Sequence, residues 1–401
     1  MTKRRDLLKG LVTLPLAGAA VSEVLSKPTP ENDFDRDYFK ELGVRTFINA
    51  AGTYTALTAS FLHPEVVKAY NYAARQFVKL EDLQDKVGER LAELLKCEAA
   101  MVTAGAASAI TLGTAGVVTG GDPDKAVRIP TDMTGMKTEV IIQKAHRVGY
   151  DHAIRNCGMK MIEVETRKEL EAAINDRTAL LWFLNANNAN GKIKDAEFVE
   201  IGKKYKIPTM NDCAADVPPV ENLWKYTQMG FDLVCFSGGK GLRGPQSAGL
   251  LLGRKDLIAA ARKNAPPNGN TVGRGMKVNK EEILGMLAAI EVYLKRDHQA
   301  DWKLWESQVK LINDVALSLG LTPEIHVPDI ANHVPSIRLR WDSKKLKITP
   351  NEVREALRNG HPSIETMGGD ESIDITTWML VPGEERTVVK RITEIIRKAS
   401  Q

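Results

Sequence analysis

The stretch Phe236-Ser237-Gly238-Gly239-Lys240-Gly241-Leu242-Arg243-Gly244-Pro245-Gln246-Ser247-Ala248-Gly249 is poor packing design. It extends an apolar run at 233–237 that reads as a strand, and glycine weakens strand and helix alike. A lysine set among glycines just past a strand makes sense where the backbone must pass close to a ligand. A glycine-rich nucleotide loop is one rival, but the pattern G-x-x-x-x-G-K-[ST] is not met, because Gly241 follows Lys240. Taken alone, the segment would also suit a plain surface turn.

Outward from this stretch the chain alternates. Short apolar runs at 99–103, 139–143, 160–164, 180–184, 209–212, 233–237 and 249–252 are separated by helical spacing, and two amphipathic helices are predicted between 65 and 95. Strands separated by helices imply βαβ units and a mostly parallel sheet covered on both faces, with functional residues at strand ends. From about residue 285 the pattern changes: a helix at 309–319, alternation at 336–341, a helix at 351–358, alternation at 372–376 and a closing helix at 384–397. The predicted architecture is therefore an α/β domain over 49–284 followed by a smaller α+β domain over 285–401.

Composition agrees with a soluble enzyme-sized chain: 401 residues, 43% hydrophobic, 26% charged and 6% aromatic. The net charge of +4 comes from 55 basic and 51 acidic residues. Through Ser26, Lys3, Arg4, Arg5 and Lys9 face only Asp6 and Glu23, so half of that charge belongs to the first 26 residues. The near-neutral remainder argues against a nucleic-acid partner, which would need clustered Lys and Arg. Arg4-Arg5 followed by Asp6-Leu7-Leu8-Lys9 and an apolar stretch resembles a twin-arginine export signal over 1–26. It implies the export machinery as a partner and a periplasmic protein that crosses the membrane folded; a frayed amphipathic helix is the alternative. Residues 27–48, with the Pro-bearing KPTPEN at 27–32, read as linker and N-terminal segment. Cys97, Cys157, Cys213 and Cys235 are widely spaced without a CxxC pair, so free buried thiols are expected, with no metal site.

An amine in a glycine-lined pocket can form a Schiff base with an aldehyde, and pyridoxal 5'-phosphate is the common aldehyde cofactor. Such chemistry needs an acid facing the ring nitrogen. Asp212, 28 residues before Lys240 at the end of the 209–212 run, is well placed, although an Asp after a strand is often a helix cap. Met101-Val102-Thr103-Ala104-Gly105-Ala106-Ala107-Ser108 carries a strand into a helix through small residues. Such a start exposes backbone N–H groups to a phosphate, though close helix packing would produce the same composition.

Together with Ile48-Asn49-Ala50-Ala51-Gly52-Thr53-Tyr54-Thr55, Arg147-Val148-Gly149-Tyr150-Asp151-His152 and Gly273-Arg274-Gly275-Met276-Lys277, these segments resemble fold type I pyridoxal-phosphate enzymes. The narrower resemblance is to the family of selenocysteine synthase and D-glucosaminate-6-phosphate ammonia-lyase. It implies Lys240 as Schiff-base lysine and proton shuttle, and Asp212 as partner of the ring nitrogen. Ala214 would pack on the ring face, Gly105, Ala106 and Ser237 would hold the phosphate, His146 would stack on the ring, and Asn188 would meet the ring hydroxyl. Arg274 would reach a neighbouring active site, so at least a homodimer is expected. Asn49, Thr53 and Arg243 are substrate candidates.

In many relatives the C-terminal domain has a Pro-Ile motif followed by an arginine, a candidate grip on a substrate acid. The corresponding stretch here, His361-Pro362-Ser363-Ile364-Glu365-Thr366-Met367-Gly368-Gly369-Asp370, has none. The leading expectation is a pyridoxal-phosphate lyase that removes a β-substituent from an amino acid or amino sugar acid, giving a keto product and ammonia. Racemase, aldolase and aminotransferase chemistry use the same carbanion, selenium transfer to tRNA is a family alternative, and an amine-binding protein is the non-enzymatic one.

Overall fold

The computed structural model describes residues 36–401, so the twin-arginine-like segment and the 27–32 linker lie outside the described residues. Residues 36–46 form a short unit of their own, with a helix at Tyr38–Glu41 whose Asp37 cap accepts from the Lys40 backbone N–H at 3.0 Å.

The body begins with strand β1 (Ile48–Asn49). A seven-stranded sheet follows, from β2 (Ala99–Thr103), β3 (Glu139–Gln143), β4 (Lys160–Val164), β5 (Thr178–Leu184), β6 (Thr209–Asp212), β7 (Leu233–Ser237) and β8 (Gly249–Gly253), in the order β2-β8-β7-β6-β5-β3-β4. Only β8 runs antiparallel to its neighbours. The strands are apolar almost throughout because both faces are buried. In β5, Leu181 and Phe183 enter one core with Val87, Leu91 and Phe198, while Leu180, Trp182 and Leu184 enter the other with Ile110, Leu112 and Ile258.

Helix Gly105–Thr119 is buried on nearly every side, which is why it is built from Gly, Ala, Ser and Thr. A Cβ on Gly116 would lie 2.6 Å from the Ala261 backbone nitrogen of helix Lys255–Lys263, so only glycine allows the two helices to approach so closely.

The expected boundary at residue 285 falls inside helix Lys280–Lys295, whose Ile283, Met286, Ile290 and Tyr293 belong to the large core. Periodicity could not reveal this, since a helix in either domain has the same apolar spacing. The C-terminal lobe therefore begins near helix His298–Ser318, and it adds β9 (Thr322–His326), β10 (Ser336–Arg340), β11 (Ile364–Glu365), β12 (Met367–Gly368) and β13 (Ile373–Thr376). Its antiparallel sheet runs β12-β13-β10-β9, with helices Pro350–Arg358 and Glu384–Ala399 against Ile337, Leu339, Ile373 and Ile375. β11 pairs in parallel with β1, and Ala50 sits in the lobe's core. The segment read as the start of the large domain is thus the seam that ties the lobe to the body.

Gly116→Leu is expected to overpack the seam between helices Gly105–Thr119 and Lys255–Lys263 and to cost about 3 kcal/mol. A urea denaturation midpoint equal to wild type would contradict that packing.

Candidate active site

In the sheet order, Leu184 pairs with Asp212, Asp212 with Cys235, and Gly249 with both Ser237 and Thr103. The carboxyl ends of β2, β5, β6 and β7 therefore meet the start of β8 at one rim. Gly249 has no room for a side chain: a Cβ there would lie 2.5 Å from the Gly105 carbonyl carbon and 2.8 Å from the Ala106 nitrogen. Its bareness lets the first turn of helix Gly105–Thr119 close over the rim. Gly105 takes φ +83°, and this helix start has neither a side-chain cap nor an acidic residue in its first turn. The free N–H groups and the dipole there suit an anion.

Asp212 is buried at the end of β6. Its Oδ1 accepts from the Ala214 N–H at 3.1 Å and faces the Cys235 thiol at 3.5 Å, while Oδ2 has no partner among the described residues. Burial pushes its pKa up, with Ala214, Lys240 and Cys235 pulling it down. Lys240 follows β7 in a loop clamped from two sides, where Ser60 Oγ donates to the Gly239 carbonyl at 2.8 Å and the His63 N–H donates to the Arg243 carbonyl at 3.0 Å. Burial pushes the Lys240 amine below its ordinary pKa, against the pull of Asp212 and Asp216. Asp216 is buried behind them, accepts from Asn185 Nδ2 at 2.8 Å, and is raised to about 7, chiefly by that burial.

Lys240 opens into a cavity of about 430 Å³. The body contributes Thr53, Tyr54, Tyr150, Ala186 and Ala215, and the C-terminal lobe contributes His326, Asn332, Ser336, Asp374, Thr376 and Trp378. The lobe is held over the rim by the Asn332 N–H, which donates to the Ala215 carbonyl at 2.7 Å.

Lys240, Asp212, Gly105, Ala106, Ala214 and Ser237 thus gather at the rim, where the Ser237 N–H donates to the Ala214 carbonyl at 3.3 Å, and Thr53 lines the cavity. Five other expected residues are placed as follows. His146 does not stand open to a ring: it is fully buried, edge-on to Phe183 at 4.4 Å, and its Nδ1 accepts from the Leu184 N–H at 3.2 Å. That N–H lies past the last paired residue of β3, so the imidazole continues the sheet ladder. Asn49 does not offer its amide to a substrate: Oδ1 accepts from the Ala51 and Gly52 N–H groups at 3.1 and 3.0 Å, and Nδ2 donates to the Gly52 carbonyl at 3.0 Å. It builds the turn that presents Thr53. Arg243 turns away at φ +51°, donates from Nε to the Phe61 carbonyl at 3.1 Å, and lines a separate small cleft with Tyr293, Arg296 and Asp301. In the asparagine loop, the residue that lines the cavity is Ala186, and Asn188 Oδ1 is buried without a partner. Arg274 is exposed and makes no ion pair among the described residues, and it does not line this cavity.

Sequence reasoning missed the lobe's wall, because His326 on β9, Asn332 in a loop, and Asp374 and Thr376 on β13 share no local motif. The Arg147–Asp151 landmark has a structural meaning: buried Asp151 is gripped by Arg147 and Arg155 at 2.5 and 3.3 Å, which sets Tyr150 at the cavity.

The family profile for SelA, L-seryl-tRNA selenium transferase, matches residues 47–316. The chain belongs to the SelA family. Among its relatives, D-glucosaminate-6-phosphate ammonia lyase of Salmonella typhimurium is 30% identical over 379 residues, spanning 90% of this chain and 98% of that one. The 5'-C-glycyluridine monooxygenase-decarboxylase of a Streptomyces species is also 30% identical, over 89% of this chain and 92% of its own. A solved structure of D-glucosaminate-6-phosphate ammonia-lyase superimposes with a TM-score of 0.79 at 28% identity, covering 92% of this chain and 100% of that one. The fold is fold type I, and the cofactor of this SelA-family enzyme is pyridoxal 5'-phosphate.

The residues present fit that group. A half-buried amine and a buried carboxylate with one unpartnered oxygen stand at neighbouring strand ends, and a bare helix start, kept open by Gly249, suits the phosphate.

Gly249→Ala is expected to weaken cofactor affinity about tenfold or more by pushing Gly105 and Ala106 off the rim; absorbance titration of the apoprotein reads it, and unchanged affinity would contradict the cradle. The buried His146 is pushed down to about 4, mainly by desolvation. Its unfolded form protonates near 6.5, so its contribution to stability is full above about pH 6.5 and is lost as pH falls toward about 4. His146→Gln should therefore lose less stability than wild type between those two pH values in urea titrations.

Proposed function

We propose that this protein is a pyridoxal-phosphate-dependent lyase that eliminates a β-hydroxyl from an amino sugar acid or related amino acid, releasing a keto acid and ammonia. The observation that carries it is the Lys240–Asp212 arrangement beneath the cavity, in a chain 30% identical to D-glucosaminate-6-phosphate ammonia lyase across 98% of that relative. Bound pyridoxal phosphate supplies an aldehyde for the substrate amine and a ring that takes up the electron pair left by the α-proton. Lys240 Nζ would hold the group's aldehyde carbon, and the same Nζ, favoured as neutral amine by burial, would move the substrate's α-proton once free. Asp212 Oδ2 would keep a proton on the ring nitrogen, and the Ala214 N–H and Cys235 thiol hold its other oxygen in place. Gly105, Ala106 and Ser237 bind the phosphate, and Ala214 packs on the ring. The proton that Lys240 Nζ takes from the α-carbon would leave with the β-hydroxyl as water, and one water would then hydrolyse the resulting enamine to keto acid and ammonia, with no net change in oxidation state.

The working enzyme is a homodimer or higher oligomer in which Arg274 reaches the neighbouring site. Support comes from its exposed, unpaired guanidinium and from exposed Phe61, Tyr72, Phe77 and Val78 on the body. The twin-arginine-like start supports export to the periplasm. Replacing Arg4 and Arg5 by lysine should leave the protein in the cytoplasmic fraction; unchanged periplasmic recovery would refute the export route.

Lys240→Ala is expected to abolish turnover and the visible absorbance of the lysine-linked cofactor. Asp212→Asn should retain the cofactor and lower kcat by on the order of a hundredfold to a thousandfold, the size of effect seen when a single electrostatic stabiliser is removed. Ammonia release by Lys240→Ala at the wild-type rate would overturn the assignment.

A further inference from the structure

Behind the rim lies a carboxyl that the lyase reading does not use. Asp216 closes the turn after β6, its N–H donating to the Cys213 carbonyl at 3.1 Å, and its own carbonyl accepts from Asn222 Nδ2 at 2.7 Å. Its side chain crosses to the end of β5, where Oδ2 accepts from Asn185 Nδ2 at 2.8 Å. The same amide nitrogen reaches the Tyr226 hydroxyl of helix Asn222–Met229 at 2.7 Å. One bond thus ties together two loops that line the cavity, since Ala186 follows Asn185 and Ala215 precedes Asp216. Asp216 is 1% exposed, so its surroundings are complete within one chain and no neighbouring subunit reaches it.

The groups around it define what it can do. Asp212 and Cys213 face it from the end of β6, Cys235 from β7, Lys240 from the lysine loop and Tyr226 from helix Asn222–Met229, with Asp195 acting through Tyr226. Burial, helped by the charge of Asp212, raises Asp216 to about 7 against the pull of Asn185, Cys213 and Lys240. Burial also pushes Cys213, Cys235 and Tyr226 upward, so these three stay neutral where Asp216 titrates. In surroundings of low dielectric, a charge gained there is felt strongly at Asp212 and favours a proton on whatever Asp212 faces.

We propose that Asp216 is a positioning residue for the cofactor's ring, acting through Asp212. As a neutral acid it leaves Asp212 the single negative charge beneath the ring; as a carboxylate it adds a second charge that strengthens the hold on the ring-nitrogen proton. The Asn185 amide donates to Oδ2 in either form, so the change needs no movement of the loops. Asp216 gains its charge as pH rises through about 7, so the added hold is absent near pH 6 and present above pH 8. The inference rests on pyridoxal phosphate as cofactor and is independent of the reaction that follows.

The test titrates the apoproteins of wild type and Asp216→Asn with pyridoxal phosphate at about pH 6 and about pH 8.5, following the cofactor absorbance. Asparagine keeps the shape and an acceptor for Asn185 but never ionises, and comparing the two proteins cancels the titration of the phosphate and of Lys240, which both share. The expected affinities agree within about twofold at the lower pH, and the variant is weaker by about fivefold or more at the higher one. With an analogue that has carbon in place of the ring nitrogen, that pH-dependent gap should vanish, which a mere brace between loops would not produce. An equal loss at both pH values, no loss at either, or a gap that persists with the carbon analogue overturns the inference. Asp216→Ser, which also removes the charge, takes the place of the asparagine variant if that one does not fold. Ammonia release is not read, so failure here leaves the elimination reading standing, and failure of that reading leaves this one.

Discussion

Asp212 is a carboxylate that folding alone has no reason to bury. It ends a strand flanked on both sides by other strands, with apolar cores above and below, and its oxygens meet one backbone N–H and one thiol. Removing a carboxylate from water without a full set of partners is costly, and the burial-driven rise of its pKa expresses that cost. A protonated ring nitrogen on the cavity side would compensate it. Most of the rim follows from that need: Lys240 must lie close enough to share the cofactor, its loop must be clamped, and Gly249 must be bare so that a helix start can meet the phosphate. Asp216, raised by burial behind the pair, accepts from Asn185, which offsets part of the cost of a second buried carboxyl. The rim is a place where stability has been given up for function, as strained or under-satisfied sites generally are.

The parts that could be read from sequence are those where one local rule is broken. Glycines around Lys240, an Asp ending an apolar run and a glycine opening a helix are each locally unfavourable, and each lies at the rim. The architecture was legible for the same kind of reason, since strands buried on both faces leave uninterrupted apolar runs. What stayed hidden are residues whose local pattern suits several uses. His146 has the chemistry of a stacking ring but completes a backbone ladder. Asn49 has the chemistry of a substrate contact but closes a turn on its own backbone, as asparagine commonly does. Arg243 is placed by a left-handed backbone angle that no composition rule announces.

Residue 285, where the pattern changes, lies inside helix Lys280–Lys295, which has the same apolar spacing whichever core it serves. The lobe's wall was invisible for a different reason. β9 carries Pro323 and exposed residues, as edge strands do, and reads as loop. Asn332 and Asp374 reach the same cavity only through the lobe's tertiary fold and the bond from Asn332 to Ala215.

This division of labour bears on how the family changes substrates. The body's rim is constrained from several directions at once: sheet register sets Asp212 against Cys235, glycine sterics set the helix start, and the Ser60 and His63 contacts set the lysine loop. The lobe's wall rests on its own sheet, in which β10 pairs with β13 and β9, and on the bond from the Asn332 N–H to the Ala215 carbonyl. Relatives at similar identity that carry different activities, an ammonia lyase and a monooxygenase-decarboxylase, are what such a scaffold would produce.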